Sequence, residues 1–233
     1  MAKIKRVMLK LSGEALAKDG GYNDEMITNV AEQVKKLKKD GVEVCVVCGG
    51  GNYWRGAKNL AIDRPKSDSI GMLATVMNAI YVSEFFRYSG LDTAILSPLV
   101  FGNMTEQFSK DLANRYFAEG KVIFFAAGTG HPYFTTDTAM ALRAIETNCD
   151  LILAAKNIDG VYDKDPGKNP DAKKYDTISI SAVVEQRLGV IDLAASIMLN
   201  DNKIPMKIFS LHEENSIANA LGKKFNGTIV TCD

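Results

Sequence analysis

The sequence predicts an α/β fold, a three-layer α/β/α sandwich around an open and mostly parallel sheet, and three observations carry that expectation. Short apolar runs alternate with longer stretches of helical spacing along the whole chain. The runs at 42–48 and 122–127 are nearly continuous apolar sequence, as in parallel strands covered on both faces. Several runs end in glycine-rich or polar turns, and open parallel sheets bind ligands beyond the carboxyl ends of their strands.

Residues 7–11 read as the first strand, and Ser12-Gly13-Glu14 turns the chain. Residues 24–39 have helical spacing in Met26, Ile27, Val30, Val34 and Leu37, with Gly41 as the stop. The second strand, 42–48, runs into Gly49-Gly50-Gly51. Residues 67–89 form the longest helical pattern, and its apolar positions, Ile70, Met72, Leu73, Val76, Met77, Ile80, Tyr81, Phe85 and Phe86, wrap well beyond the roughly 100° stripe that a surface helix needs. Such a helix is expected to be covered on two sides, by the sheet and by either a second subunit or a further layer of the same chain.

A short strand at 93–96, a helix at 108–119, a strand at 122–127 ending in Gly128-Thr129-Gly130, a helix at 135–147 and a strand at 151–155 follow. From 157 to 176 the composition turns to Asp, Lys, Pro, Gly and Asn, which reads as a loop or hairpin at the mouth of a site. Helices at 181–188 and 191–200, a strand at 206–211, a helix at 215–221 and a strand from 228 complete the pattern. The shift near 156 divides one domain, 1–233, into lobes of 1–155 and 156–233.

Hydrophobic residues make up 46% of the 233 and charged residues 24%, an ordinary globular balance that folds without a partner. Net charge is zero and the pI about 6.7, so there is no overall basic field to hold a nucleic acid. A local basic pocket for a small phosphate is compatible with both. No run of 18 apolar residues occurs, and residues 1–6 precede only a short apolar run containing Lys10; neither a membrane span nor a signal peptide is expected, and the expected location is cytoplasmic. Cys45 and Cys48 lie three apart in a β-patterned run, on opposite faces, and read as core residues. With no second C-x-x-C and only His131 and His212, no metal site made of protein is expected.

The chemistry concentrates where strands end. Gly49-Gly50-Gly51, followed by Arg55, reads as a phosphate-binding turn in which missing Cβ atoms allow positive φ and close approach of an anion to backbone N–H groups. No Gly-Lys pair is followed by Ser or Thr, so there is no Walker A loop. The dinucleotide fingerprint fails at Tyr133 and at Trp54, and H-R-D is absent. What remains are clusters at Lys10–Gly13, Gly49–Arg55, Gly128–Asp137 and Asp159–Pro166. Alone, Lys10 could blunt an edge strand, Asp137 could serve a helix dipole and Asp159-Gly160 could be a tight turn. Together on one sheet edge they point to phosphate chemistry.

Lys10-Leu11-Ser12-Gly13-Glu14-Ala15-Leu16, Gly49 to Asn52 with Arg55-Gly56, Asp68 before the run Gly71 to Asn78, the Gly128 to Asp137 stretch and Asp159-Gly160-Val161-Tyr162 through Asp165-Pro166 resemble the bacterial-type uridylate kinases, a family with the amino acid kinase fold. The resemblance covers essentially the whole chain and implies phosphoryl transfer from ATP to UMP. It implies catalytic roles for Lys10, Asp137, Asp159 and Asp192, although Asp192 could equally cap a helix. It places UMP against Gly50, Arg55, Asp68 and Thr129, Gly130, His131, Pro132, Tyr133, Phe134, Thr135 and Thr136. It places ATP against Lys10, Leu11, Ser12, Gly13, Gly51, Arg55, Asn157, Tyr162 and Asp165, with Mg2+ carried by ATP. A homo-oligomer, commonly a hexamer, and GTP or UTP effectors are implied as well. Two departures from the family pattern stand out: His131 replaces the common Asn, and the segment 18–22 is short. A kinase of the same fold acting on a carboxylate or carbamate, and a non-catalytic nucleotide-sensing or anion-binding protein, are the alternatives.

Overall fold

Apolar runs become strands and amphipathic runs become helices in the expected order in this computed structural model, which describes residues 4–56, 61–222 and 224–233. The start of the amino-terminal stretch discussed above, residues 1–3, lies outside the described residues. The chain begins with β1 (Arg6–Leu11), a 3-10 turn (Gly13–Leu16), the small hairpin of β2 (Ala17–Lys18) and β3 (Gly21–Tyr22), α1 (Asp24–Lys39), β4 (Glu43–Cys48) and α2 (Arg64–Tyr88). Next come β5 (Thr93–Ser97), β6 (Glu106–Gln107), α3 (Lys110–Ala118), β7 (Val122–Phe125), α4 (Thr136–Glu146) and β8 (Leu151–Lys156). After these follow β9 (Val161–Tyr162), β10 (Lys174–Tyr175), β11 (Thr177–Ser179), α5 (Ile180–Glu185), α6 (Leu193–Asp201), β12 (Met206–Ser210), α7 (Ser216–Asn219) and β13 (Thr228–Thr231).

Nine strands form one sheet in the order β11-β13-β12-β8-β1-β4-β7-β5-β6, parallel throughout except where β12 meets β13. The segment read as a loop or hairpin contains the antiparallel pair β9–β10. Strand β1 is central, flanked by β4 and β8, and its alternation sorts the two cores. Val7, Leu9 and Leu11 pack with α1, α2 and α7, whereas Met8 packs with α3, α4, α5 and α6. Lys10 shares the parity of Met8 and so faces the α4 layer. Cys48 belongs to the first core and Cys45 to the second, as their spacing requires, and burial pushes the Cys48 thiol up to about 12.

Helix α2 starts three residues before its apolar pattern, with Pro65 in the first turn, where a missing N–H costs nothing. By length and composition it is apolar enough to cross a membrane. Its buried residues Val76, Ala79, Val82 and Phe86 nevertheless pack into the sheet core, so part of that apolarity belongs to the α/β layer.

Candidate active site

Lys10 and Asp137 meet on the α4 side of the sheet. Lys10 is only 7% exposed because β1 is covered on both edges and both faces. Thr135 caps α4, its hydroxyl accepting from the N–H groups of Asp137 and Thr138, and this cap fixes Asp137 in the first turn. The Lys10 ammonium donates to Asp137 Oδ1. Burial raises the Asp137 carboxyl, but the charge of Lys10, then that of Lys156, and the hydrogen bond from Lys10 outweigh it and hold the group below its ordinary value.

Lys156, the last residue of β8, was not among the expected site residues. Its ammonium donates to the Val190 carbonyl, and burial pushes it down to about 8 against the opposing pull of Asp137, with Lys10 adding to the depression. A lysine at the carboxyl end of an apolar strand is the signal that singled out Lys10, and the same signal would have found this one.

The glycine turn after β4 works by close approach. Gly49, Gly50 and Gly51 do not adopt positive φ, which corrects the expectation above. A Cβ on Gly50 would lie 2.8 Å from the Gly71 carbonyl oxygen of α2, and one on Gly13 would lie 2.6 Å from that of Gly49. Three chain segments therefore converge where side chains would separate them. Asn78 locks the convergence, its amide donating to the Gly49 carbonyl at 2.6 Å and to Asn52 Oδ1 at 2.8 Å, while its oxygen accepts from Tyr22 at 2.8 Å.

Positive φ occurs instead in the loop after β7, at Ala127, Gly128, Gly130 and Tyr133. Buried Ala127 is held in that conformation with its N–H donating to Thr75 Oγ1 at 3.0 Å. Tyr133 N–H donates to Asp68 Oδ2 at 2.8 Å, and Arg64 reaches the same oxygen at 2.8 Å. Trp54 donates to Ser67 Oγ at 3.0 Å, and Ser67 in turn donates to the Gly56 carbonyl at 3.1 Å, so the indole ties the glycine turn to the start of α2. Arg55 pairs with Glu14.

These elements enclose a cavity of about 650 Å³ beyond the carboxyl ends of β1, β4, β7 and β8. Lys10, Ser12, Gly13, Gly50, Gly51, Arg55 and Asp68 line it, as do Thr129, His131, Phe134, Thr135, Thr136 and Asn157. Asp137 touches it through Lys10. Leu11 is fully buried in the core, and Gly130, Pro132 and Tyr133 lie in the loop without forming its wall. Asp192 is one layer away: it caps α6 by accepting from Ala195 N–H at 2.8 Å, and its other oxygen accepts from the hydroxyls of Thr135 and Thr138. Asp159 accepts from Tyr162 at 2.9 Å and from Lys174 at 2.9 Å and does not line the cavity. Asp165 is on the hairpin turn, bound to Gly167 N–H at 3.0 Å. Besides Lys156, the wall includes Glu14, Trp54, Arg64, Met72, Thr75 and Ile158. Arg64, Met72 and Thr75 come from α2 and Trp54 is tied to it, whereas Glu14 and Ile158 follow β1 and β8.

A parallel sheet whose carboxyl edge holds a buried lysine, glycine turns and threonines suits phosphoryl transfer, and the sequence model of the amino acid kinase family, a class of phosphotransferases, matches residues 5–210. The chain is 44% identical to the uridylate kinase of Rickettsia prowazekii (strain Madrid E), over 98% of this chain and 96% of that one. The solved UMP kinase of Ureaplasma parvum superposes with a TM-score of 0.92 at 36% identity, covering 98% of this chain and 99% of the other. That of Bacillus anthracis gives 0.93 at 33%, with 99% and 97% covered. The chain belongs to the amino acid kinase family and, within it, to the uridylate kinases.

Proposed function

We propose that this chain transfers the γ-phosphoryl group of ATP to UMP, giving ADP and UDP, in pyrimidine nucleotide biosynthesis. The observation that carries the reading is the pair of buried Lys10 with Asp137 on a cavity that also collects Arg55, Asp68 and the Thr129–Thr136 loop. An oxygen of the UMP phosphate attacks the γ-phosphorus, and the bond to the β,γ-bridging oxygen breaks with its electron pair leaving on ADP. No proton has to move, because a phosphate monoester is already largely ionised at neutral pH. Positioning and charge neutralisation are then the main requirements, and Lys10 supplies a cation between donor and acceptor.

UMP lies against Gly50, Arg55 and Asp68 and the loop from Thr129 through Gly130, His131, Pro132, Tyr133, Phe134 and Thr135 to Thr136, within the 1–155 lobe. ATP lies against Lys10 to Gly13, Gly51, Arg55, Asn157, Tyr162 and Asp165, toward the 156–233 lobe. Asp137 orients Lys10, Asp192 acts through Thr135 and Thr138, and Asp159 acts from the hairpin through Tyr162. Asp137 and Asp192 are already held by Lys10 and by Thr135, Thr138 and Ala195, a donor set that leaves Mg2+ to phosphate oxygens and water. Mg2+ bound to ATP would neutralise charge on those oxygens. The exposed Ile70, Leu73 and Met77 of α2 support a homo-oligomer; a hexamer, a cytoplasmic location and GTP or UTP as effectors follow from the resemblance alone.

The test is ADP release with ATP-Mg2+ across UMP, CMP, dUMP and AMP, then carboxylate and carbamate acceptors, with GTP and UTP added in turn. Turnover with UMP above all others is expected. Equal turnover with another acceptor, or ATP binding without turnover, would reject the reading.

A further inference from the structure

Two lysines share one carboxylate at the floor of this cavity. Lys10 and Lys156 stand at the ends of neighbouring strands, with Lys10 in register with Ala154, and the Ser12 N–H donates to the Ala155 carbonyl beside them at 3.4 Å. Both line the cavity with Ser12 and Asn157. Asp137 balances one positive charge and leaves the second. Lys156 has three N–H donors, and its acceptor among the described residues is the carbonyl of Val190, a neutral group.

We propose that Lys156 is a second phosphate-contacting catalytic residue, which swings its ammonium from Val190 onto the phosphoryl group being transferred. The proposal rests on the reaction argued above. In that step the acceptor oxygen forms its bond to phosphorus, the bridging oxygen departs with ADP, and both lysines keep their protons. A purely structural lysine would be a poor choice here, since an ammonium removed from water to serve one carbonyl loses more solvation than a neutral donor at the same place. Burial already biases the amine toward its neutral form, and an incoming polyanion reverses that bias. A lysine is also the side chain whose four-carbon stem allows such a movement while the strand stays fixed.

The experiment compares the wild type with Lys156→Met, which keeps an unbranched stem without charge, and Lys156→Arg. Calorimetric titration with ATP-Mg2+ and with ADP-Mg2+, without UMP, reads binding free of turnover. Lys156→Met is expected to weaken ATP about 10-fold or more relative to ADP, the scale of one charge-assisted hydrogen bond, and to lower kcat by about 10-fold or more. Lys156→Arg is expected to retain most of the ATP preference. Equal weakening of both nucleotides, or of neither, would reduce Lys156 to a support for Val190 and overturn the proposal. Amine acylation of the unaltered protein, read by peptide mass spectrometry, makes the test independent of variant folding: ATP should protect Lys156 more than ADP does, and equal labelling overturns it. A wild type that fails to phosphorylate UMP would reject the proposed reaction, while the ATP-to-ADP ratio still decides the contact.

Discussion

At the scale of single residues, the two lysines make separable predictions. Lys10→Ala is expected to lower kcat by about 100-fold or more, the cost of one preorganised charge stabiliser, with thermal denaturation confirming that the fold persists. Lys156 has a consequence for stability. Its folded value of about 8 lies below the unfolded value of roughly 10.4, so between the two the unfolded chain binds more protons. This lysine therefore makes stability rise with pH across that window. Urea denaturation at steps from about pH 7 to pH 10 should show a steeper rise for the wild type than for Lys156→Met; parallel curves would show that burial does not depress the amine. Asp137 has the same sign of linkage, displaced to the acid range. Its folded value is depressed, so its contribution is complete above the unfolded carboxylate value and is lost as pH falls through the lower folded one. Asp137→Asn should flatten the acid limb of the same curves. Lys10 was legible in the sequence because it interrupts an apolar strand next to a Ser-Gly turn. Lys156 presents the same pattern, but it is followed by the polar stretch that reads as a loop, and its proximity to Asp137 exists only once β8 pairs with β1. Trp54 had no sequence-level explanation, since its partner Ser67 is thirteen residues away on another element.

At the scale of elements, the ends of helices carry the site. Asp192 is both the cap of α6 and the acceptor for two threonines at the start of α4, so a single carboxylate sets the relation between those helices. Asp192→Ala is expected to destabilise the protein by about 0.5–2 kcal/mol through the lost cap. Asp192→Asn keeps a good cap and should stay close to wild-type stability. If Asp192→Asn also keeps full kcat, the carboxylate charge has no part in the reaction, and only its geometry matters. Strand and helix positions were largely legible because apolar spacing is a local signal: α1 occupies the stretch its periodicity marks. The positive φ values around Ala127 were not, because that conformation is imposed by Thr75 from a distant helix. Gly49 to Gly51 were legible as a functional turn for an incomplete reason. Glycine is needed there because Gly13 and Gly71 approach them, and a sequence shows what a residue lacks without showing what fills the space.

At the scale of the whole molecule, the parallel sheet could be expected from its buried strands, but the order in which they pair could not, since it depends on which crossovers pack. That order makes β1 central and so brings both sides of the cavity to one edge. The second side of α2 raises the remaining question. Ile70, Leu73 and Met77 recur at helical spacing and are 38%, 49% and 51% exposed, while Val76, Ala79 and Val82 of the same helix are buried in the sheet core. A row of this kind left in water is unfavourable, and an antiparallel copy of the same helix would cover it by an isologous contact in which each residue is used twice. Leu73 and Met77 line no part of the cavity, so charges placed there should break the contact and leave the chemistry in place. Sedimentation at micromolar concentration is expected to show an oligomer for the wild type and a smaller species for Leu73→Glu combined with Met77→Glu. A wild type that sediments as a monomer would rule out this interface, and a double variant of unchanged mass would move the contact to another face. If the smaller species binds ATP normally yet loses regulation by added GTP or UTP, the effectors act through the assembly. If it loses ATP binding as well, α2 transmits its packing to the glycine turn through Asn78, whose amide joins that helix to the Gly49 carbonyl.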